Sequence, residues 1–324
     1  MKNLKSNLAL FLLTFFTLFT LIGCNNEDSI LLSDNNTSSD QEILQKIVDE
    51  DESLESFDLN YNEEDAMSFV LGKTAEEIFP VKIGQRMKLV EKNLDITIEG
   101  DTAYGTLTKT FEGVLFIVAS LDSLNGNIDS LDLNVYEKPF NTTVSRNLIF
   151  VKRDSVAESD SIRHNWKIES VSLPVGGTLT ENILIESLTV FLPDGETITI
   201  EEPLEYYLSR GPSYRKLVPS ISKYESVGLE VTIRSAYEQQ DFVTLTHGAH
   251  RGRKHLRAKK RFEFVEGSET FDGVYYYRTF RGEWVVNQYK GHKHAVINAF
   301  PWGVIKDSEA PVETNSWGIP YYVN

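Results

Sequence analysis

The densest run of reactive side chains is His247-Gly248-Ala249-His250-Arg251-Gly252-Arg253-Lys254-His255-Leu256-Arg257-Ala258-Lys259-Lys260-Arg261. It holds seven Lys or Arg residues and no acid, in a chain of net charge −16. Guanidinium and ammonium groups gathered this way suit an anionic partner, such as lipopolysaccharide phosphates, an acidic glycan or an acidic segment of another envelope protein. Arg251, Arg253, Lys254, Arg257, Lys259, Lys260 and Arg261 are the candidate contacts. The same pattern also suits a solvated loop whose charges guard a sheet edge against pairing.

Five of the six histidines fall in the last third of the chain: His247, His250, His255, His292 and His294. Imidazoles bind Zn²⁺ or Cu²⁺, but catalytic metal sites usually add a carboxylate, and the adjacent cations repel a dication. These five are the candidate metal ligands, in surroundings that disfavour a metal. The other chemistry-bearing patterns are negative. The sequence has no GxSxG, HExxH, GxxxxGK[ST] or GxGxxG, the motifs that position nucleophiles, zinc or phosphates. No catalytic residue and no cofactor are expected. Asp49-Glu50-Asp51-Glu52 lacks the glycine and the terminal glutamate spacing of an EF-hand loop and reads as a solvated acidic face.

A single cysteine, Cys24, excludes an intramolecular disulfide, a CxxC pair and a Cys-ligated zinc. It follows a positive stretch with Lys2 and Lys5, and an uncharged run from Leu8 to Ile22. That run is shorter than the roughly 20 residues a membrane span takes, and matches a signal-peptide core. Leu21-Ile22-Gly23-Cys24 resembles the bacterial lipobox. The resemblance implies that residues 1–23 are a signal peptide and that Cys24 carries palmitate and related acyl chains, the mature chain joining a membrane through that lipid anchor. Asn25-Asn26-Glu27-Asp28-Ser29 follows, polar and acidic, which points to the cell outer membrane, on either its periplasmic or its surface side. The acidic balance argues against nucleic acid as a partner.

The elements that must position these residues read as β-rich. Residues 24–39 form a polar, lipidated tether. Ile43, Leu44, Ile47 and Val48 keep helical spacing behind Asp40, and Ala66, Phe69 and Val70 do so behind Asn62. A further helical turn is expected at Ala75–Phe79. Past Pro80 the period becomes two: Leu94, Ile96 and Ile98, then the turn Glu99-Gly100-Asp101-Thr102, then Tyr104, Thr106, Thr108 and Thr110. More strands are expected at Val114–Leu121, Leu131–Tyr136, Val144–Arg153 and Asn165–Leu173. Helices followed by long strands, closing on Trp166-Lys167-Ile168-Glu169-Ser170-Val171, resemble the NTF2-like (cystatin-cone) α+β fold. That resemblance implies a curved sheet able to enclose a pocket.

Residues 174–180, with Pro174-Val175-Gly176-Gly177-Thr178, read as a linker. Residues 181–324 read as short strands of a sandwich resembling the immunoglobulin-like fold, without its Cys…Trp…Cys hallmark. A C-terminal tail holds Trp302, Trp317, Tyr321 and Tyr322, fit either for stacking on sugars or for capping a core. The expected architecture is therefore signal peptide, tether, α+β domain over 40–173, linker and β-sandwich over 181–324. The expected function is a membrane-anchored envelope lipoprotein acting as a non-catalytic binding or assembly module. The alternative is a small-ligand binder or enzyme using a pocket in the NTF2-like domain.

Overall fold

Ala103, Leu107, Phe111 and Leu115 are buried, while Tyr104, Thr106 and Glu112 between them are exposed. This is the period of a strand with one face in a core. It runs without a break through β3 (Thr102–Ser120). β2 (Phe79–Glu99) precedes it across a turn where Gly100 takes φ 64°, a left-handed conformation that glycine adopts without steric cost. β4 (Leu133–Lys152) follows. The three pair antiparallel along almost their full length, which at ~3.3 Å per residue is about 65 Å.

The structure, a computed structural model, describes residues 34–51, 54, 68–69, 79–120, 133–153, 165–178, 180–209, 219–249 and 258–324. Strands are numbered in chain order. Among these residues the chain is mostly β-sheet, and Asp40–Asn324 is one compact unit. Cys24 and residues 1–23 lie outside the described residues, as do Asn62 and most of the second expected helix. Within that helix, Ser68–Phe69 is instead a short strand, β1, paired with Lys82 and Ile83 of β2. Phe79, expected to end a helical turn, opens β2.

The large sheet runs β1, β2, β3, β4, β6 (Val175–Gly177), β18 (Asn315–Val323), β17 (Gly291–Phe300), β12 (Phe242–Ala249) and β13 (Ala258–Arg261). β1 lies against β13, so the sheet curls until the two ends of this path meet. β5 (Trp166–Ser172) extends the far end of β4. The stretch expected as a linker thus contains β6, hydrogen-bonded to β4 on one edge and β18 on the other. The second sheet runs β14 (Glu263–Phe264), β16 (Tyr276–Val285), β11 (Ser226–Ser235), β7 (Ile183–Phe191) and β8 (Thr197–Ile200).

Three apolar clusters hold these layers. The first lies between the second sheet and one face of β12, β17 and β18, joining Leu188, Val231, Ile233 and Trp284 to Leu245, Ile297, Trp317 and Tyr321. The second lies on the opposite face of the same strands: Phe242, Val296 and Phe300 meet Phe111, Leu115 and Val144 of β3 and β4. The third forms where α1 (Asp34–Glu50) lays Leu44 and Val48, one helical turn apart, on Leu107, Leu148, Phe150 and Trp166. α1 starts at Asp34, inside the stretch expected as tether. Trp317, Tyr321 and Tyr322, expected in a tail, stand in β18, all of whose residues are buried. Burial of such aromatic area is among the largest stabilising contributions a core receives.

Candidate anion-binding face

β3 and β4 each interrupt their apolar stripe with a cation. Lys109 sits between Leu107 and Phe111, and Arg146 between Val144 and Leu148, and both are buried. The register sets Lys109 opposite Val144 and Arg146 opposite Leu107. Directly opposed residues share a face and diagonal ones stay within reach. Lys109 and Arg146 are therefore neighbours on the concave face, at the junction of the second and third apolar clusters.

The facing wall is polar but neutral. On β12, Thr244 and Thr246 alternate with Val243 and Leu245, which enter the sandwich core, so the two threonines face the concave side with Phe242. β17 sets Asn298 opposite Thr244, and β18 sets Ser316 opposite Asn298. The Ser316 hydroxyl donates to Asn298 Oδ1 at 2.8 Å. Thr244, Thr246, Asn298 and Ser316 are at most 1% exposed. Thr244 Oγ1, Thr246 Oγ1 and Asn298 Nδ2 have no hydrogen-bond partner. A buried hydroxyl or amide left so costs on the order of 1–3 kcal/mol.

Between the walls two positions of the face carry no side chain: Gly176 pairs with Ser316 on one edge and Val144 on the other, and Gly318 pairs with Val296. The walls approach each other, since Val144 and Phe111 share a cluster with Val296 and Phe300.

Among the described residues, the strands place Lys109 and Arg146 on this face. Carboxylates beside it include two of α1: Asp49 takes Lys92 at 2.6 Å and Asp40 takes Lys152 at 3.4 Å. Lys138 closes the end of α2 (Trp302–Lys306), donating to the carbonyls of Val304 at 2.7 Å and Asp307 at 2.9 Å. Burial brings its ammonium down to about 8, against the pull of Asp307 and Glu309. Lys109, Arg146 and Lys259 complete the positive set.

The expected basic contacts fare differently along their run. Arg251, Arg253, Lys254 and Arg257 lie outside the described residues, as do His250 and His255. β13 holds the rest and alternates them. Lys259, opposite Thr246, and Arg261, opposite Thr244, face the concave side. Lys260 faces the other way and donates to the Glu283 carbonyl at 3.2 Å. Arg261 lies over the rings of Phe242 and Trp302, 5.1 and 5.0 Å from their centroids; burial pushes its guanidinium down. A groove of about 730 Å³ along β13 and β16 is lined by Lys259, Lys260, Arg261 and Arg281 together with Glu263 and Glu283.

Among the described residues no three histidines come together. His247 turns to the sandwich core, 6.0 Å from the Trp284 ring, and burial, with Lys260 nearby, brings its imidazole down to about 4. His294 is on the opposite face of the sheet, in the series of Val296 and Asn298. His292 belongs to β17, opposite Tyr322. No group of three or more His, Cys, Asp or Glu able to hold a metal occurs among the described residues.

Lys109, Arg146, Thr244 and Asn298 were not among the residues the sequence singled out. A signal was present: a cation flanked by apolar residues two positions away on either side, in each of two adjoining strands. No family model, curated protein or solved structure matches the chain.

Proposed function

We propose that this chain is a non-catalytic binding protein, tethered to a bacterial outer membrane through acyl groups on Cys24, that takes an anionic ligand on the concave face of its large sheet. One observation carries the binding half: a buried polar face bearing Lys109, Arg146 and Lys259, in a chain of net charge −16. Cations concentrated in a low-dielectric concavity attract an anion more strongly than the same charges in water. The tether half rests on the lipobox-like Leu21-Ile22-Gly23-Cys24. The helix α1 laid across long curved strands supports the NTF2-like resemblance of residues 40–173. The second sheet, packed on β12, β17 and β18, supports the sandwich resemblance of residues 181–324.

The two halves are tested separately. Growth with an alkyne-bearing fatty acid should label the chain, and Cys24→Ser should remove the label; a labelled Cys24→Ser variant would overturn the tether. Inorganic phosphate should raise the melting temperature of the full chain in nonionic detergent, and Arg146→Met should abolish the rise. A rise that persists in Arg146→Met would place the anion elsewhere.

A further inference from the structure

We infer that the recess between the Tyr237–Gln239 turn and the β17–β18 connection binds a small primary alkylamine, its ammonium at the Glu313 carboxylate and its alkyl body against Pro301, Val304 and Pro311. The inference goes beyond the concave face and uses none of its cations.

Three segments distant in sequence meet here. Tyr237 to Gln239 stand between β11 and β12, Glu313 stands two residues before β18, and Thr180 and Asn182 shortly precede β7. The Tyr237 hydroxyl donates to Glu313 Oε1 at 2.9 Å. Thr180 Oγ1 and Asn182 Nδ2 donate to Glu313 Oε2 at 3.3 and 3.1 Å. Burial, with the bond to Glu313, pushes the Tyr237 phenol up to about 12, so it stays a neutral donor. All three donors orient the carboxylate and none neutralises it. The described lining adds a second carboxylate, the exposed Glu238, and holds no Lys, Arg or His. Such a lining favours a cation.

The kind of cation follows from the remaining lining. A carboxylate offers roughly four acceptor sites, and the three donors leave room for one more N–H. A protonated primary amine supplies it as a charge-assisted bond, whereas a quaternary amine has no N–H to give. Pro301, Val304, Ala310 and Pro311 line the rest of the recess, about 280 Å³ in volume, near the ~300 Å³ at which small-molecule sites begin. An alkyl body gains by covering these apolar walls; a bare metal ion would leave them uncovered.

Both walls are fixed before any ligand arrives. Arg278, fully buried, donates to the carbonyls of Tyr237, Glu238 and Gln239. Val304, Ile305 and Val312 anchor the β17–β18 connection in the second apolar cluster. A recess preorganised in this way loses little to ordering when it takes a ligand.

The test is a ligand-observed NMR titration of the full chain, in nonionic detergent, with butylammonium, butanol and methylammonium. Butylammonium is expected to bind at least tenfold more tightly than butanol, which lacks the charge, and severalfold more tightly than methylammonium, which lacks the body. Glu313→Gln should weaken butylammonium tenfold or more, as loss of a charge-assisted bond requires. Ala310→Phe, which puts a ring into the recess and keeps the carboxylate, should abolish its binding. Either variant suffices, provided its melting temperature shows it folded. Butylammonium bound equally by the parent and a folded variant would overturn the inference. So would equal affinities for butylammonium and butanol, or no binding of butylammonium by the parent chain. None of these outcomes bears on phosphate binding at the concave face.

Discussion

Thr244 and Asn298 stand directly opposite each other on β12 and β17, both fully buried, and neither the threonine hydroxyl nor the asparagine NH₂ meets a hydrogen-bond partner. A fold selected for stability alone would place valine or leucine there. Thr244→Val removes an orphan hydroxyl and keeps the shape. Urea unfolding of the ligand-free chain should show stability unchanged or raised by up to about 1 kcal/mol. A loss of more than that would mean that the hydroxyl holds the fold rather than serving a ligand.

Arg278 is a buried cation with every nitrogen engaged. It meets Asp241 at 3.1 Å, the carbonyls of Tyr237, Glu238 and Gln239, and Glu269 through Nε. Burial still pushes the Asp241 carboxyl up to about 6, against the hydrogen bond from Ser235 and the charge of Arg278. Arg278→Met should therefore cost roughly 3–5 kcal/mol, the penalty for stranding one half of a buried pair. Arg278→Lys should recover little of it, because an ammonium cannot span the same fork of acceptors. Denaturant midpoints of the two variants check this.

His247 makes stability depend on pH in a defined window. Its folded value of about 4 lies below the ordinary 6.5, so between those values the unfolded chain binds the proton that the folded chain refuses. Stability from this group is then complete above pH 6.5 and is lost as pH falls toward 4, on the order of 2 kcal/mol by pH 5. His247→Leu should flatten that part of the pH–stability curve. An unchanged slope between pH 7 and 5 would assign the acid sensitivity to other groups.

Gly177 holds the seam between β4 and β18. A methyl group there would overlap the Thr314 carbonyl oxygen and crowd the Asn315 backbone, neither of which can move without breaking the β6–β18 ladder. Gly177→Ala should lower stability by about 1–3 kcal/mol. Faster amide exchange at Asn315–Trp317 than in the parent chain would locate the damage at the seam.

The long strands were legible wherever alternation ran unbroken, as in Leu94–Ile98 and Tyr104–Thr110 with the turn at Gly100 between them. Alternation was harder to follow where proline or glycine intervened. Pro139 separated two expected strands, yet β4 runs through it, because no described strand pairs with that stretch of β4 except β3. On a free edge the missing N–H breaks no ladder bond. Pro320 sits in β18 on the same terms, beyond the stretch paired with β6. Gly176 and Gly177 read as punctuation, whereas they let three strands approach closely. The candidate site was hidden for a different reason. Its walls come from residues 98 or more positions apart, and only the curl of the sheet turns Lys109 and Arg146 toward Thr244 and Asn298.

Anion binding on the concave face through Lys109 and Arg146 is measured by titrating inorganic phosphate into the full chain and into a Lys109→Met, Arg146→Met double variant, at low and high salt. Binding should weaken with salt, as screened charges require, and disappear in the folded double variant. Equal affinity in parent and variant, at either salt concentration, would place the anion elsewhere.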